Sequence, residues 1–133
     1  MKKALFSITF LTLASGAMAQ ARLQVIHNSA DAAAATVDVR VNGGFPDASF
    51  DDLSFREATP FITVPAGTYT VTINGPSSVD ASSPVFTKSL TVVDGETYVV
   101  MAAGIVSPTG YSPATPFDLF VKADAQEAAS VPT

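Results

Sequence analysis

The single imidazole of the sequence is His27, and Ser29, Asp31 and Asp38 follow it closely. Hydroxyl, imidazole and carboxylate are the parts of a nucleophilic relay, in which the base takes the serine proton and the acid orients the base. One form of such a relay needs its serine on a sharp Gly-x-Ser-x-Gly turn, and Gly75-Pro76-Ser77-Ser78-Val79 lacks the second glycine. His27 also lies in phase with Leu23 and Val25, so strand periodicity turns its ring toward a core edge, where it bonds the loop that follows. The stretch Asn28-Ser29-Ala30-Asp31 then reads as turn capping by Asn, Ser and Asp side chains. No catalytic residue is assigned, and an enzyme is not expected.

Oxygen ligands are the second chemical possibility. Asp47, Asp51, Asp52 and Glu57 crowd one loop, and calcium takes six to eight such oxygens. Their spacing does not follow a D-x-D-x-D-G loop, and Arg56 sits among them, so the segment reads first as a solvated acidic loop. Phe45, Phe50, Phe55, Tyr111 and Phe117 could stack on sugars, but nine Phe without Trp is the composition of a packed interior. Gly43-Gly44 is a turn lacking the third glycine of a dinucleotide site. No cofactor is expected.

The whole-chain counts narrow the field further. With no cysteine, the chain has no disulfide, thiolate metal site, cysteine nucleophile or lipidated cysteine. Charged residues make up 14%, against a usual ~25%, and acids outnumber cations 12 to 7, which is the wrong balance for neutralising phosphates. A nucleic-acid partner is therefore not expected. The 133 residues suffice for one domain with its own core.

The first 19 residues read as an address. Lys2 and Lys3 precede an apolar stretch over 4–14, and Ala17-Met18-Ala19 has the small-x-small spacing of a signal peptidase site between Ala19 and Gln20. The stretch is shorter than the ~20 residues of a membrane span, and nothing later approaches that length. The expectation is a signal peptide over 1–19, and export to the periplasm, cell surface or medium, with no transmembrane segment in the mature chain.

The elements that would position these residues are strands. Val37, Val39 and Val41 alternate with Asp38 and Arg40, which predicts one buried and one solvated face. Tyr69, Val71 and Ile73 repeat the pattern against a row of threonines. Further strands are predicted over 23–27, 59–64, 85–92, 96–105 and 117–122, with an eighth near 50–55; segment 96–105, apolar on both faces, reads as central. Turns fall at Asn42-Gly43-Gly44, Pro65-Ala66-Gly67, Asn74-Gly75-Pro76 and Asp94-Gly95. This is the pattern of an all-β, immunoglobulin-like antiparallel sandwich of about seven strands over 20–122. Tyr69 and Tyr98 each follow a turn, where such a fold can bond the hydroxyl back to the turn backbone. Lys88 and Arg40, on threonine-rich outer faces, are read as guards against edge pairing. The tail over 123–133 opens on an Ala-rich stretch read as a short helix over 123–130.

The motifs Arg22-Leu23-Gln24-Val25-Ile26-His27-Asn28-Ser29-Ala30-Asp31-Ala32, Val37-Asp38-Val39-Arg40-Val41-Asn42-Gly43 and Val64-Pro65-Ala66-Gly67-Thr68-Tyr69-Thr70-Val71 together resemble the DUF4397 domain of exported bacterial proteins. The resemblance spans nearly the whole mature chain. It implies an immunoglobulin-like sandwich on secreted or surface proteins, often in tandem, with no established activity. The motif residues His27, Ser29, Asp31, Asp38, Pro65, Gly67 and Tyr69 are accordingly expected to be structural. Ala30 and the 32–35 alanine run stand where the family commonly has proline, which loosens the first loop. The ending over 117–129 resembles the junction into a second copy, so a shortened tandem member is expected.

Three function classes follow. The first, adopted here, is a non-catalytic exported module with a structural, adhesive or protein-interaction role, its partner unspecified among envelope or extracellular proteins and glycans. The second is a small-ligand module for calcium or a glycan, through the 47–57 loop or the long Pro- and Gly-containing 104–116 loop. The third is a hydrolase.

Overall fold

A computed structural model describes residues 17–128. The predicted leader up to residue 16, and the tail from residue 129, lie outside the described residues. The strands are β1 Gln20–His27, β2 Thr36–Val41, β3 Leu53–Ser54, β4 Ile62–Pro65, β5 Gly67–Asn74, β6 Phe86–Val92, β7 Thr97–Ala103 and β8 Asp118–Lys122. They form two four-stranded sheets, ordered β4-β1-β7-β8 and β3-β2-β5-β6. The fold is an all-β sandwich, as the alternation predicts. The short eighth strand is the two-residue β3. Single 3-10 turns at Ala32–Ala34 and Ala48–Phe50 are capped by Asp31 and Asp47. No helix among the described residues is long and apolar enough to cross a membrane.

The core lies between the sheets and is built from alternate positions. Leu23 and Val25 of β1 and Val100 of β7 supply one wall, and Val39 of β2 with Val71 and Ile73 of β5 the other. Tyr69 is only partly buried and rims this core. One strand pair departs from antiparallel order: β1 runs parallel to β7, with Arg22 opposite Thr97 and His27 opposite Ala102. This places β7 centrally, between β1 and β8, as its two apolar faces require.

Local chemistry explains where strand ends differ from the pattern. The strand expected from residue 59 begins at Ile62 because Pro60 has no N–H for the ladder. Thr59 compensates: its Oγ1 accepts from Val25 N at 3.0 Å, and its own N–H donates to Val25 O at 2.9 Å. At the tail, residues 123–128 are not helical. Ala125 N donates to Thr97 O at 3.0 Å, and Glu127 grips Arg22 at 2.6 Å, so tertiary contacts override alanine's helical preference.

Both tyrosines bond back as expected. Tyr69 Oη donates to Pro65 O at 2.6 Å, across the single residue where the chain leaves one sheet for the other. Tyr98 Oη accepts from Val93 N at 3.1 Å. A Tyr69→Phe variant keeps its ring and loses only that bond, so it is expected to fold normally and be less stable by about 1 kcal/mol, read as a lower denaturant midpoint. Lys88 does not lie on the outer face expected for it: it shares the inward phase of Phe86 and Leu90, and its Nζ reaches Asp118 Oδ1 and Leu119 O of edge strand β8, both at 2.8 Å, tying an edge of one sheet to an edge of the other. Arg40 lies on an outer face but at no edge, because β2 is an inner strand and the side chain is buried.

Candidate functional site

Two clusters of chemistry-bearing side chains emerge, at different places on the sandwich. The first surrounds His27, which ends β1 and is fully buried. Its Nε2 lies 2.6 Å from Ala34 O, and its Nδ1 lies 3.4 Å from Ser29 N. Both contacts are met when Nε2 carries the proton and donates while Nδ1 accepts. Ser29 is also buried, and its hydroxyl donates to Gly104 O at 2.6 Å.

Asp31 ties the corner together. Its carboxylate accepts from Ala33 N (2.9 Å), Val106 N (2.8 Å), Ser107 N (2.6 Å) and Ser107 Oγ (2.7 Å). Burial pushes this carboxyl up, but the four hydrogen bonds outweigh it and hold Asp31 well below the usual carboxylate range. Tyr111 Oη closes the same corner by accepting from Ala32 N at 2.8 Å. The Ser29 hydroxyl and the imidazole face backbone here, and the carboxylate faces backbone N–H groups and the Ser107 hydroxyl. They are not brought into one relay, and Asp38 lies on the opposite sheet.

The second cluster is on the outer face of the β3-β2-β5-β6 sheet. Alternation predicts that the polar side of β2 faces water, yet Asp38 and Arg40 are 1% and 7% exposed. Loops from both neighbouring connections fold over them. From the 75–85 connection, Ser78 Oγ donates to Asp38 Oδ2 at 2.5 Å and Ser78 O accepts from Arg40 Nη2 at 2.8 Å. From the 42–52 connection, Asp52 N donates to Asp38 Oδ1 at 3.1 Å, and the Phe45 ring lies under the Arg40 guanidinium at 4.2 Å. Arg40 and Asp38 themselves are 3.9 Å apart.

Carboxylates from Asp38, Asp51 and Asp52 converge here, with one oxygen of each within 4.8 Å of the others. Burial, then the charges of Asp38 and Asp52, push the Asp51 carboxyl above its ordinary range. Of the four acids expected together, the structure unites only Asp51 and Asp52. Asp47 caps the second 3-10 turn, and the bonds from Ser49 N and Oγ hold it below the usual range. Glu57 accepts from Ser54 N at 2.9 Å and closes a local turn. The five aromatics form no common platform: Phe50 and Phe117 are buried, Phe45 stacks on Arg40, and Phe55 meets His27 edge-on.

The ladder places Asn74 opposite Asp38 and Thr72 opposite Arg40. Asn74 Oδ1 and Thr72 Oγ1 are, among the described residues, the buried side-chain polar atoms without a hydrogen-bond partner. Asn74 also forms the floor of an open pocket of about 220 Å³, whose walls include Ser77, Ser78, Asp80 and Ser82.

The family profile described as "Domain of unknown function (DUF4397)" matches residues 21–131. The chain belongs to that family. No curated protein matches its sequence. The matched span contains all three motifs, and in this DUF4397 domain their polar residues serve distinct places: His27, Ser29 and Asp31 the loop corner, Asp38 the covered outer face, and Pro65 with Tyr69 the crossing between sheets.

Sequence reasoning placed Asp38 among structural motif residues and did not join it to Asp51 and Asp52. Ser78 and Asn74 were missed as its neighbours. The available signal was two opposite charges at alternate positions of β2, followed after β5 by the long Ser-rich stretch 75–84, which can fold back over them.

Proposed function

We propose that this DUF4397 domain is a non-catalytic, exported module that displays loops from a rigid sandwich for structural, adhesive or protein-interaction purposes. The observation that supports it best is the corner of His27, Ser29 and Asp31. All three are 1% exposed or less, and their polar atoms fasten the 30–35 and 104–107 loops to the sheet. Bonds of this kind hold loops in a fixed presentation, which suits recognition by a partner.

Export is supported by the leader pattern and by how the fold begins. Residues 17–19 are exposed and outside any strand, and β1 opens on Gln20, the residue after the expected cleavage point. Gln20 N lies 2.7 Å from Asp94 Oδ1, a carboxylate well placed to receive the ammonium group that cleavage would create.

The test has two parts. N-terminal sequencing of the tagged protein recovered from cell fractions should return Gln20 as the first residue, outside the cytoplasm. A panel of ester, peptide and glycoside substrates should give no turnover above blank. Turnover abolished by His27→Ala or Ser29→Ala at unchanged melting temperature would overturn the non-catalytic reading.

A further inference from the structure

The connection from β5 to β6 runs from residue 75 to residue 85, well beyond the roughly two to five residues that close an ordinary hairpin, and ordered connections of that length commonly carry a function. It is pinned to the sheet at both ends. Ser78 Oγ donates to Asp38 and Ser78 N to Gly75 O at 3.0 Å, and Val85 N donates to Ile73 O at 2.8 Å. Between these points the loop and Asn74 enclose an open pocket of about 220 Å³. That volume falls short of the roughly 300–1,000 Å³ of a site for a whole drug-sized molecule, and suits one functional group on a short stem.

The pocket has acceptors to spare. Asn74 is fully buried, and its Nδ2 points at the pocket wall, 3.5 Å from Asp80 O, whereas its Oδ1 has no donor among the described residues. Turning the amide over does not help, because Oδ1 would then face the Asp80 carbonyl oxygen. A buried acceptor left unmatched costs free energy and calls for an explanation. Asp80 adds a carboxylate, whose Oδ1 accepts from Ser82 N at 2.8 Å, and Ser77 and Ser83 add hydroxyls. No Lys, Arg or His is among the described residues that line the pocket. Arg40 lies behind Ser78, where Ser78 O accepts from its Nη2 and Asp38 faces it at 3.9 Å.

We infer that this pocket takes a primary ammonium group on an aliphatic stem, the chemistry shared by a lysine side chain and a small alkylamine. An ammonium brings three N–H donors and no acceptor, which matches the Asn74 amide oxygen, the Asp80 carboxylate and a serine hydroxyl. A sugar hydroxyl brings more lone pairs than hydrogens and leaves the surplus of acceptors in place, and an anion is repelled by Asp80. Val79, on the same wall and 92% exposed, gives the stem an apolar neighbour. Asn74 Oδ1 is shielded from solvent, so binding moves the 79–83 stretch outward. The site does not depend on the display reading and stands on its own test.

Amide shifts of the isotope-labelled protein are followed by NMR as butylammonium chloride is added, with sodium chloride and n-butanol as controls. Saturable shifts centred on residues 74–83, the Asn74 side-chain amide among them, are expected with a dissociation constant on the order of 1 mM, and neither control should reproduce them. Nα-acetyl-lysine methylamide separates the two sources: tighter binding than butylammonium assigns the pocket to a lysine of a protein partner, and equal or weaker binding assigns it to a free alkylamine. Asp80 is exposed, and Asp80→Asn keeps an oxygen for Ser82 N, so this variant should fold and bind butylammonium at least tenfold more weakly. Asn74→Leu, which keeps the shape and drops Oδ1, should weaken binding likewise. Asp47→Asn, an equal loss of charge in another loop, should bind as wild type does. The proposal is overturned if butylammonium gives no saturable shift, if either control reproduces it, if Asp80→Asn keeps full affinity, or if Asp47→Asn weakens binding as much.

Discussion

Gly104→Ala is expected to destabilise the domain by about 4 kcal/mol, a large part of the 5–15 kcal/mol that holds a domain of this size folded. Gly104 follows β7 at φ +99°, a conformation an alanine side chain resists. A Cβ there would collide with Pro116 O and lie 2.7 Å from both Pro116 C and Phe117 Cα. These are backbone atoms, and they are fixed in place: Ile105 N donates to Thr115 O at 2.8 Å, and Phe117 N to Ile105 O at 3.1 Å. Relief therefore means breaking this bridge or the bond from Ser29 Oγ to Gly104 O. Positive-φ strain and overpacking each cost about 1–3 kcal/mol, hence the total. Gly110→Ala separates the two causes. Its φ is +97°, yet nothing lies within 4 Å of the added Cβ, so only the strain remains and the loss should be about 1 kcal/mol. Denaturant midpoints of the two variants check this, and equal losses would show that the collision with residue 116 contributes nothing.

What was legible in the sequence was whatever depends on neighbours along the chain. The alternation of Val37, Val39 and Val41 defined the inner face of β2, and turn chemistry placed Tyr69 and Tyr98 where their hydroxyls reach back. The Leu23–Val25–His27 phase put the imidazole inward, bonded to the next loop. What failed depends on partners far away in sequence. Asp38 and Arg40 alternate like solvated residues, and the folding back of Ser78, 40 residues from Asp38, together with the 42–52 connection, buries them. The parallel pairing of β1 with β7 joins the two halves of the chain and leaves no local trace. The tail carries alanines that favour a helix, but a bond to Thr97 and an ion pair with Arg22 decide its path. Likewise, spacing grouped Asp47 and Glu57 with Asp51 and Asp52, whereas each outer member found a backbone N–H of its own.

Asp31→Asn should be the most pH-revealing change in the molecule, lowering the melting temperature at pH 7 by roughly 10 °C. The carboxylate faces donors on all sides: three backbone N–H groups and a hydroxyl, from the 30–35 loop on one side and the 104–107 segment on the other. An amide of the same shape has one accepting oxygen and must turn its NH₂ toward at least one N–H, leaving buried donors unmatched. The sign of the pH effect follows from the direction of the shift. Asp31 is held below its ordinary value in the folded state, so between that ordinary value, near 4, and its folded value the unfolded chain binds the extra proton. Its contribution is therefore fully present above about pH 5 and lost as pH falls through 4 and below. Asp47, Asp80 and Asp118, also lowered by their hydrogen bonds, add slope of the same sign, whereas Asp51, which is raised, opposes it. Wild type should thus lose stability on acidification more steeply than Asp31→Asn, and the gap between their melting temperatures should narrow from pH 7 to pH 3. A gap that stays constant across that range would mean that Asp31 acts by shape and not by charge, and that the loop corner is held by the bonds of His27 and Ser29 instead.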